Sequence, residues 1–181
     1  MIRAFIAIDL PTEFRAKISE IQSKLYFQGL RLVNPELVHI TLKFLGDVDA
    51  TQLSEINNTL DKLNCSSFDS HVCGVNVFPG MNSPRIVWVG DNGDYSCLHK
   101  QVESLMSEIG FKKESRKFTS HATIARVKHL SSSNSKELIS AIGSLRDFDI
   151  GLMHVDTVKI KKSILTPQGP IYETLYEVKL P

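Results

Sequence analysis

The order His, any residue, Thr, aliphatic occurs twice, as His39-Ile40-Thr41-Leu42 and His121-Ala122-Thr123-Ile124, separated by close to half of the 181-residue chain. Each copy opens an apolar stretch, "HITLKFLG" and "HATIARVK", that reads as a strand. A repeat on that span constrains the fold more than any other feature. It predicts an α+β chain of two related lobes, each bringing one motif to a shared site, with residues 1–181 forming a single bilobal unit. Outside the motifs the two halves do not visibly align.

The remaining elements follow from periodicity. "IRAFIAID" ends before Pro11 and predicts a strand over residues 2–9. Phe14, Ile18, Ile21 and Leu25 line one face of a helix that Gly29 ends. Asn34 and Pro35 mark a turn, and Asp49 with Gln52 at N3 predicts a capped helix carrying Leu53, Ile56, Leu60 and Leu63. Strands are expected at 68–78 and 85–89, around the loop "FPGMNSP". Leu98, Val102, Leu105 and Ile109 mark a third helix, and Leu138, Ile142 and Leu145 a fourth. The chain closes as a hairpin around Pro167 to Pro170.

Composition excludes several classes. Hydrophobic residues make up 42%, charged residues 23%, and the formal charge is +1, so nucleic acid cannot be held by a global basic field and must meet a local patch. Cys65, Cys73 and Cys97 are odd in number and form no CxxC pair; reduced, buried thiols are expected, with no disulfide framework and no zinc ribbon. No apolar window approaches the ~20 residues of a membrane span, and "MIRAFIAIDLP" is too short in its apolar run for a signal core, so the cytoplasm is the expected location. Phosphate-loop, dinucleotide, HExxH and GxSxG motifs are absent, and a zinc site from His39, His121 and a cysteine has no suitably spaced ligand pair.

Strand alternation sets His39, Thr41 and Lys43 on one face, Ile40, Leu42 and Phe44 on the packing side, and His121 with Thr123 on a face of their own. Imidazole gives or takes a proton near neutral pH, and threonine donates to an anionic oxygen. Two such pairs facing each other supply an acid, a base and two anion donors, the set that phosphodiester cleavage needs with neither metal nor cofactor. His71, His99, His129 and His154 lack the pattern and are expected to be structural or surface residues.

With these motifs the chain resembles the two-histidine (2H) phosphoesterase superfamily, and within it the RNA 2',3'-cyclic phosphodiesterases, also called 2'-5' RNA ligases. Five landmarks carry the resemblance in order: "RAFIAIDLP", "HITLKFLGDV", "PRIVWVG", "HATIARVK" and "SILTPQGPIYETL". Ser120, where a proline commonly precedes the second His, and Ala122, where a larger aliphatic is usual, are the departures. The resemblance implies a bilobal α+β fold with antiparallel sheets facing a central cleft and helices outside. It implies hydrolysis of 2',3'-cyclic phosphate ends of RNA or nucleotides to 2'-phosphomonoesters, with weak 2'-5' ligation in reverse. His39 is the implied proton donor, His121 the implied acceptor, and Thr41 and Thr123 the phosphate-holding hydroxyls. Lys43 is a further phosphate candidate, and so is Arg126, whose parity requires a bulge or else a structural ion pair. Phe5 and Phe44 are base-stacking candidates, while Lys112 to Lys117 and Lys159, Lys161 and Lys162 are candidate RNA guides or solvated faces. A site built within one chain needs no protein partner, and a monomer is expected. The competing expectation is a non-catalytic RNA-end-binding module on the same scaffold, against which both His and both Thr argue.

Overall fold

Phe14, Ile18 and Ile21 are buried along one face of α1 (Phe14–Lys24) in the computed structural model, which describes residues 1–181. The helix stops at Lys24, before the expected Gly29. Gly29 instead serves a close backbone approach: its φ is +96°, and a Cβ there would lie 1.6 Å from the His129 carbonyl oxygen. The second helix, α2 (Ala50–Leu60), has the expected capping box. Asp49 accepts from the Gln52 amide at 2.8 Å, and the Gln52 side chain accepts from the Asp49 amide at 3.0 Å. Leu98, Val102 and Met106 are buried in α3 (Ser96–Glu108), and Leu138 and Ile142 in α4 (Ser132–Ser144).

Nine strands form one antiparallel sheet: β1 (Ile2–Asp9), β2 (Leu30–Leu32), β3 (His39–Val48), β4 (Phe68–Phe78), β5 (Ile86–Asp91), β6 (Ala122–Val127), β7 (Asp149–Val155), β8 (Thr157–Thr166) and β9 (Gly169–Lys179). Their order is β7-β4-β5-β6-β3-β1-β8-β9, with β2 also paired to β6. The sheet curls into two lobes that meet at β3 and β6, and the only register pair between those two strands is Ile40 with Ala122. That narrow seam lets the lobes splay into a cleft while one buried cluster of 38 residues runs beneath both.

The lobes are not the two halves of the chain. α1 packs on β6 and β7, and α4 on β4, whereas α3 packs on β3 and against α2. The chain therefore crosses repeatedly between a lobe of β1, β3, β8 and β9 and a lobe of β4, β5, β6 and β7. This explains why the halves do not align outside the motifs.

The expectation of three reduced thiols is corrected. Cys65 and Cys97 are disulfide-bonded, their Cα atoms 6.1 Å apart, and only Cys73 is free. The bond joins the segment that follows α2 to the start of α3. Beside it, the Asn64 amide donates to Gln101 Oε1 at 2.9 Å. The pairing depends on how α2 meets α3, which spacing along the chain does not reveal. No helix is long and apolar enough to cross a membrane.

Candidate active site

Both motif strands carry a β-bulge at the same place. In β3, Ala7 faces Thr41 and Ile6 faces Lys43, leaving Leu42 as the extra residue. In β6, Trp88 faces Thr123 and Val87 faces Ala125, leaving Ile124 extra. The aliphatic at His+3 is thus the bulged residue in each copy, and alternation reverses beyond it. His39 and Thr41 keep the cleft face, as do His121 and Thr123. The residue at His+4 turns inward (Lys43, 3% exposed; Ala125, fully buried), and the residue at His+5 turns outward (Phe44, 68% exposed; Arg126, exposed). Arg126 therefore reaches the cleft through the bulge that its parity required. Phe44, set on the packing side by strict alternation, is corrected to the cleft side, where its ring lies 6.3 Å from that of Phe5.

Lys43 is corrected in the opposite sense. Its ammonium donates to Glu103 Oε1 at 2.7 Å and to the Lys112 carbonyl at 2.9 Å. The Glu114 amide donates to Glu103 Oε2 at 2.8 Å. Burial pushes the Glu103 carboxyl up, but Lys43 and the Glu114 amide outweigh it and hold it below the usual range. Lys43 is not a phosphate ligand. It is half of a buried pair that ties the loop preceding His121 to β3 and α3.

The two imidazoles are held alike. His39 Nδ1 lies 2.7 Å from the Leu37 carbonyl oxygen and His121 Nδ1 lies 2.8 Å from that of Thr119. A carbonyl only accepts, so each Nδ1 carries a proton, and Nε2 is the ring nitrogen that is left to exchange a proton with a substrate. Continuing the register through Ile40 and Ala122 sets His39 opposite Thr123, and Thr41 opposite His121. Aromatic rings brace each imidazole from the side. Phe5 and Tyr172 lie 5.0 and 5.2 Å from His39, and Phe78 and Trp88 lie 5.0 and 5.9 Å from His121. Phe5 is itself buried beneath His39.

Tyr172, Phe78 and Trp88 were not among the residues marked by sequence. The motif copies point to nothing beyond their own strands, and these rings come from β9, β4 and β5. Asp9, across from His39 in the register, was also missed. Burial pushes the Asp9 carboxyl up, but Lys161 and Lys159 outweigh it and hold it low; Lys159 Nζ lies 3.2 Å away, and Lys161 bonds it directly. Lys159 also meets Glu177 at 3.1 Å, and Lys162 meets Glu173 at 3.1 Å. These lysines, weighed as RNA guides, are satisfied within the protein. Burial lowers the His39 pKa below its ordinary value, aided by Lys161 and Arg126, while the Leu37 carbonyl and Asp9 oppose it. The resting imidazole therefore favours its neutral form more than an ordinary histidine does. Burial also raises the Tyr172 phenol, and Arg126 and Arg3 counteract this only in part.

This arrangement has relatives. The family described as LigT like Phosphoesterase matches residues 8–88 and 94–172. A Methanocaldococcus jannaschii protein named RNA 2',3'-cyclic phosphodiesterase is 38% identical over 97% of this chain and 99% of its own. A Thermotoga maritima protein of the same name is 40% identical over 97% and 94%. A solved Thermus thermophilus structure superposes with a TM-score of 0.81 at 25% identity, covering 98% of this chain and 97% of its own. Escherichia coli LigT complexed with 3'-AMP gives 0.80 at 22% over 99% and 98%, a likeness of fold. With both motif strands inside the matched segments, the chain belongs to the LigT-like phosphoesterase family.

Proposed function

We propose that the protein is a metal-independent RNA 2',3'-cyclic phosphodiesterase that opens cyclic ends to 2'-phosphomonoesters. The observation that carries this reading is the matched pair of imidazoles, each tied through Nδ1 to the carbonyl two residues earlier, on strands that pair through Ile40 and Ala122. The cyclic phosphate sits over that seam, with Thr41 and Thr123 donating to its non-bridging oxygens as charge builds. His121 Nε2 takes a proton from the attacking water. The water oxygen bonds to phosphorus, the bond to the 3'-oxygen breaks, and protonated His39 donates to that oxygen. The product carries a 2'-phosphate and a free 3'-hydroxyl, and solvent exchange restores both rings.

Burial disfavours the charged His39 ring, so the proton it donates is held better once substrate has arrived. The anionic phosphate supplies the opposing charge that raises its pKa. Arg126 reinforces phosphate binding, and Phe44, exposed beside Phe5, offers a face to the terminal base. The same pair run backwards joins a 2'-phosphate to a 5'-hydroxyl weakly. One chain supplies every group named here, which supports residues 1–181 acting as a single unit and as a monomer, and an RNA substrate supports action in the cytoplasm.

The test is incubation with a nucleoside 2',3'-cyclic phosphate in EDTA, followed by product identification. A 2'-phosphate is expected. Turnover abolished by EDTA would remove the metal-free mechanism, and a 3'-phosphate would move the leaving group to the 2'-oxygen. Binding without turnover would leave an RNA-end-binding module in its place.

A further inference from the structure

Cations are distributed unequally between the two lobes. On the β1 and β8 wall, Lys159, Lys161 and Lys162 are each paired with a carboxylate, and Arg3 alone is exposed without an ion pair. On the β6 side, Arg31, Arg85, Arg126 and Lys128 are exposed and make no ion pair. The reason is visible in the sequence. Residues 25–35, 78–90 and 115–136 contain no Asp or Glu at all, although the chain has 20. These three segments are brought together by β2, β5 and β6.

The geometry gives this surface a direction. Arg31 is the register partner of Arg126, so both guanidinium groups leave the same face. Arg31 also reaches the tip of the β8–β9 hairpin, where a Cβ on Gly169 would lie 3.2 Å from its Nη2. Two residues beyond Arg126, about 7 Å along an extended chain, Lys128 enters a groove of about 450 Å³. Arg85, His129, Asn82, Ser83 and Ser135 also line it. The lining is cationic and polar, which suits a sugar-phosphate backbone better than a stacked base.

From this we infer that Arg31, next to the phosphate-binding Arg126, and the groove of Arg85, Lys128 and His129 form a subsite for the RNA backbone upstream of the terminal nucleotide, making an oligonucleotide end a better substrate than a cyclic mononucleotide. The inference deepens the proposed activity and rests on it. An internal carboxylate would be the ordinary partner of an arginine or lysine, and here the partner is the phosphodiester of the ligand.

The experiment compares kcat/KM for a nucleoside 2',3'-cyclic phosphate and for a five-nucleotide RNA ending in a 2',3'-cyclic phosphate, in the wild type and in Arg85→Gln/Lys128→Gln. The wild type is expected to favour the oligonucleotide by about tenfold or more. The variant should keep its mononucleotide kcat/KM and lose most of that preference. Its salt dependence for the oligonucleotide should flatten by about 1.4 in log–log slope, for two single-strand phosphate contacts. Equal use of both substrates by the wild type, or an undiminished preference in the variant, would overturn the subsite while leaving the phosphodiesterase reading intact. Should neither substrate be turned over, the activity reading fails. Anisotropy of a labelled five-nucleotide RNA ending in a 2'-phosphate, titrated at several salt concentrations, then decides the subsite on its own. Unchanged affinity and slope in the variant would refute it, and a weaker, flatter response would support it.

Discussion

Replacing Lys43 by Met separates two accounts of one residue. A phosphate ligand in the cleft would cost activity and leave stability alone. The observed Lys43–Glu103 pair is instead almost wholly out of solvent, with side-chain exposures of 2% and 9%. Removing one partner leaves a buried charge unmatched, which typically costs about 3–5 kcal/mol. For a chain of this size that corresponds to a melting temperature lower by about 6–20 °C. Lys43→Met also releases the Lys112 carbonyl and loosens Glu103, the acceptor for the Glu114 amide, so the loop leading to His121 loses its anchor. A fall in kcat/KM should accompany the stability loss. Lys43→Met/Glu103→Leu removes both charges, so it should lose well under the sum of the single variants. The Lys112 and Glu114 backbone groups still lose their partners, which keeps it below wild type. The assay is thermal and urea denaturation of all four proteins with parallel kinetics. Additivity within about 0.5 kcal/mol, or a Lys43→Met protein as stable as the wild type, would refute the buried staple. The pH dependence has a definite sign: Glu103 has a depressed pKa, so the pair stabilises above the unfolded carboxylate range and loses its effect as pH falls through the folded value.

The remaining predictions test the site and the frame that holds it. If His39 is the proton donor, as proposed, its lowered pKa means that the alkaline limb of kcat/KM, which reports the free protein, should begin below the ordinary histidine value of about 6.5. Asp9 raises the His39 pKa, so Asp9→Asn should move that limb further down; an upward shift in the pH–rate profile would exclude His39 as the acid. His39→Ala and His121→Ala should each lower kcat by about 10²- to 10⁴-fold in a folded protein, as checked by circular dichroism and single-turnover rates. The Cys65–Cys97 bridge spans a separation of 32 residues, and opening it should cost about 3–4 kcal/mol in chain entropy. It includes no residue of the motif strands, so urea midpoints should fall on reduction while kcat holds. Asp49→Ala removes the cap of α2 and should cost about 1 kcal/mol in the same denaturation assay.

Legibility followed the range of the interaction. Phe14, Ile18 and Ile21, or Asp49 and Gln52, report a helix through neighbours three and four residues away, and the structure keeps them. The two His-x-Thr pairs were legible for the same reason, since alternation decides their face within three residues. Lys43 and Phe44 were misplaced because a bulge in β3 depends on its pairing with β1, through Ala7, Ile6 and Phe5. Cys65 with Cys97, Asp9 with Lys161, and Tyr172 with His39 likewise meet only after distant elements pack. Nothing local to Tyr172 distinguishes it from the other aromatic residues of a β-hairpin.

The repeated bulge explains more than the two misplaced side chains. It makes the motif six residues long in structural terms, because the position at His+5 returns to the cleft in both lobes. One lobe fills that position with Phe44 and the other with Arg126, and each lobe braces its imidazole with its own rings, Phe5 and Tyr172 against Phe78 and Trp88. A two-fold arrangement of identical lobes could not tell one end of a nucleotide from the other. The exchange of an aromatic ring for a guanidinium at equivalent positions removes that ambiguity, setting the exposed Phe44 ring on the His39 side and the Arg126 guanidinium on the His121 side. The acid-free segments 25–35, 78–90 and 115–136 extend the same polarity outward, so the proposed direction of RNA entry and the proposed division of acid and base between His39 and His121 rest on one asymmetry.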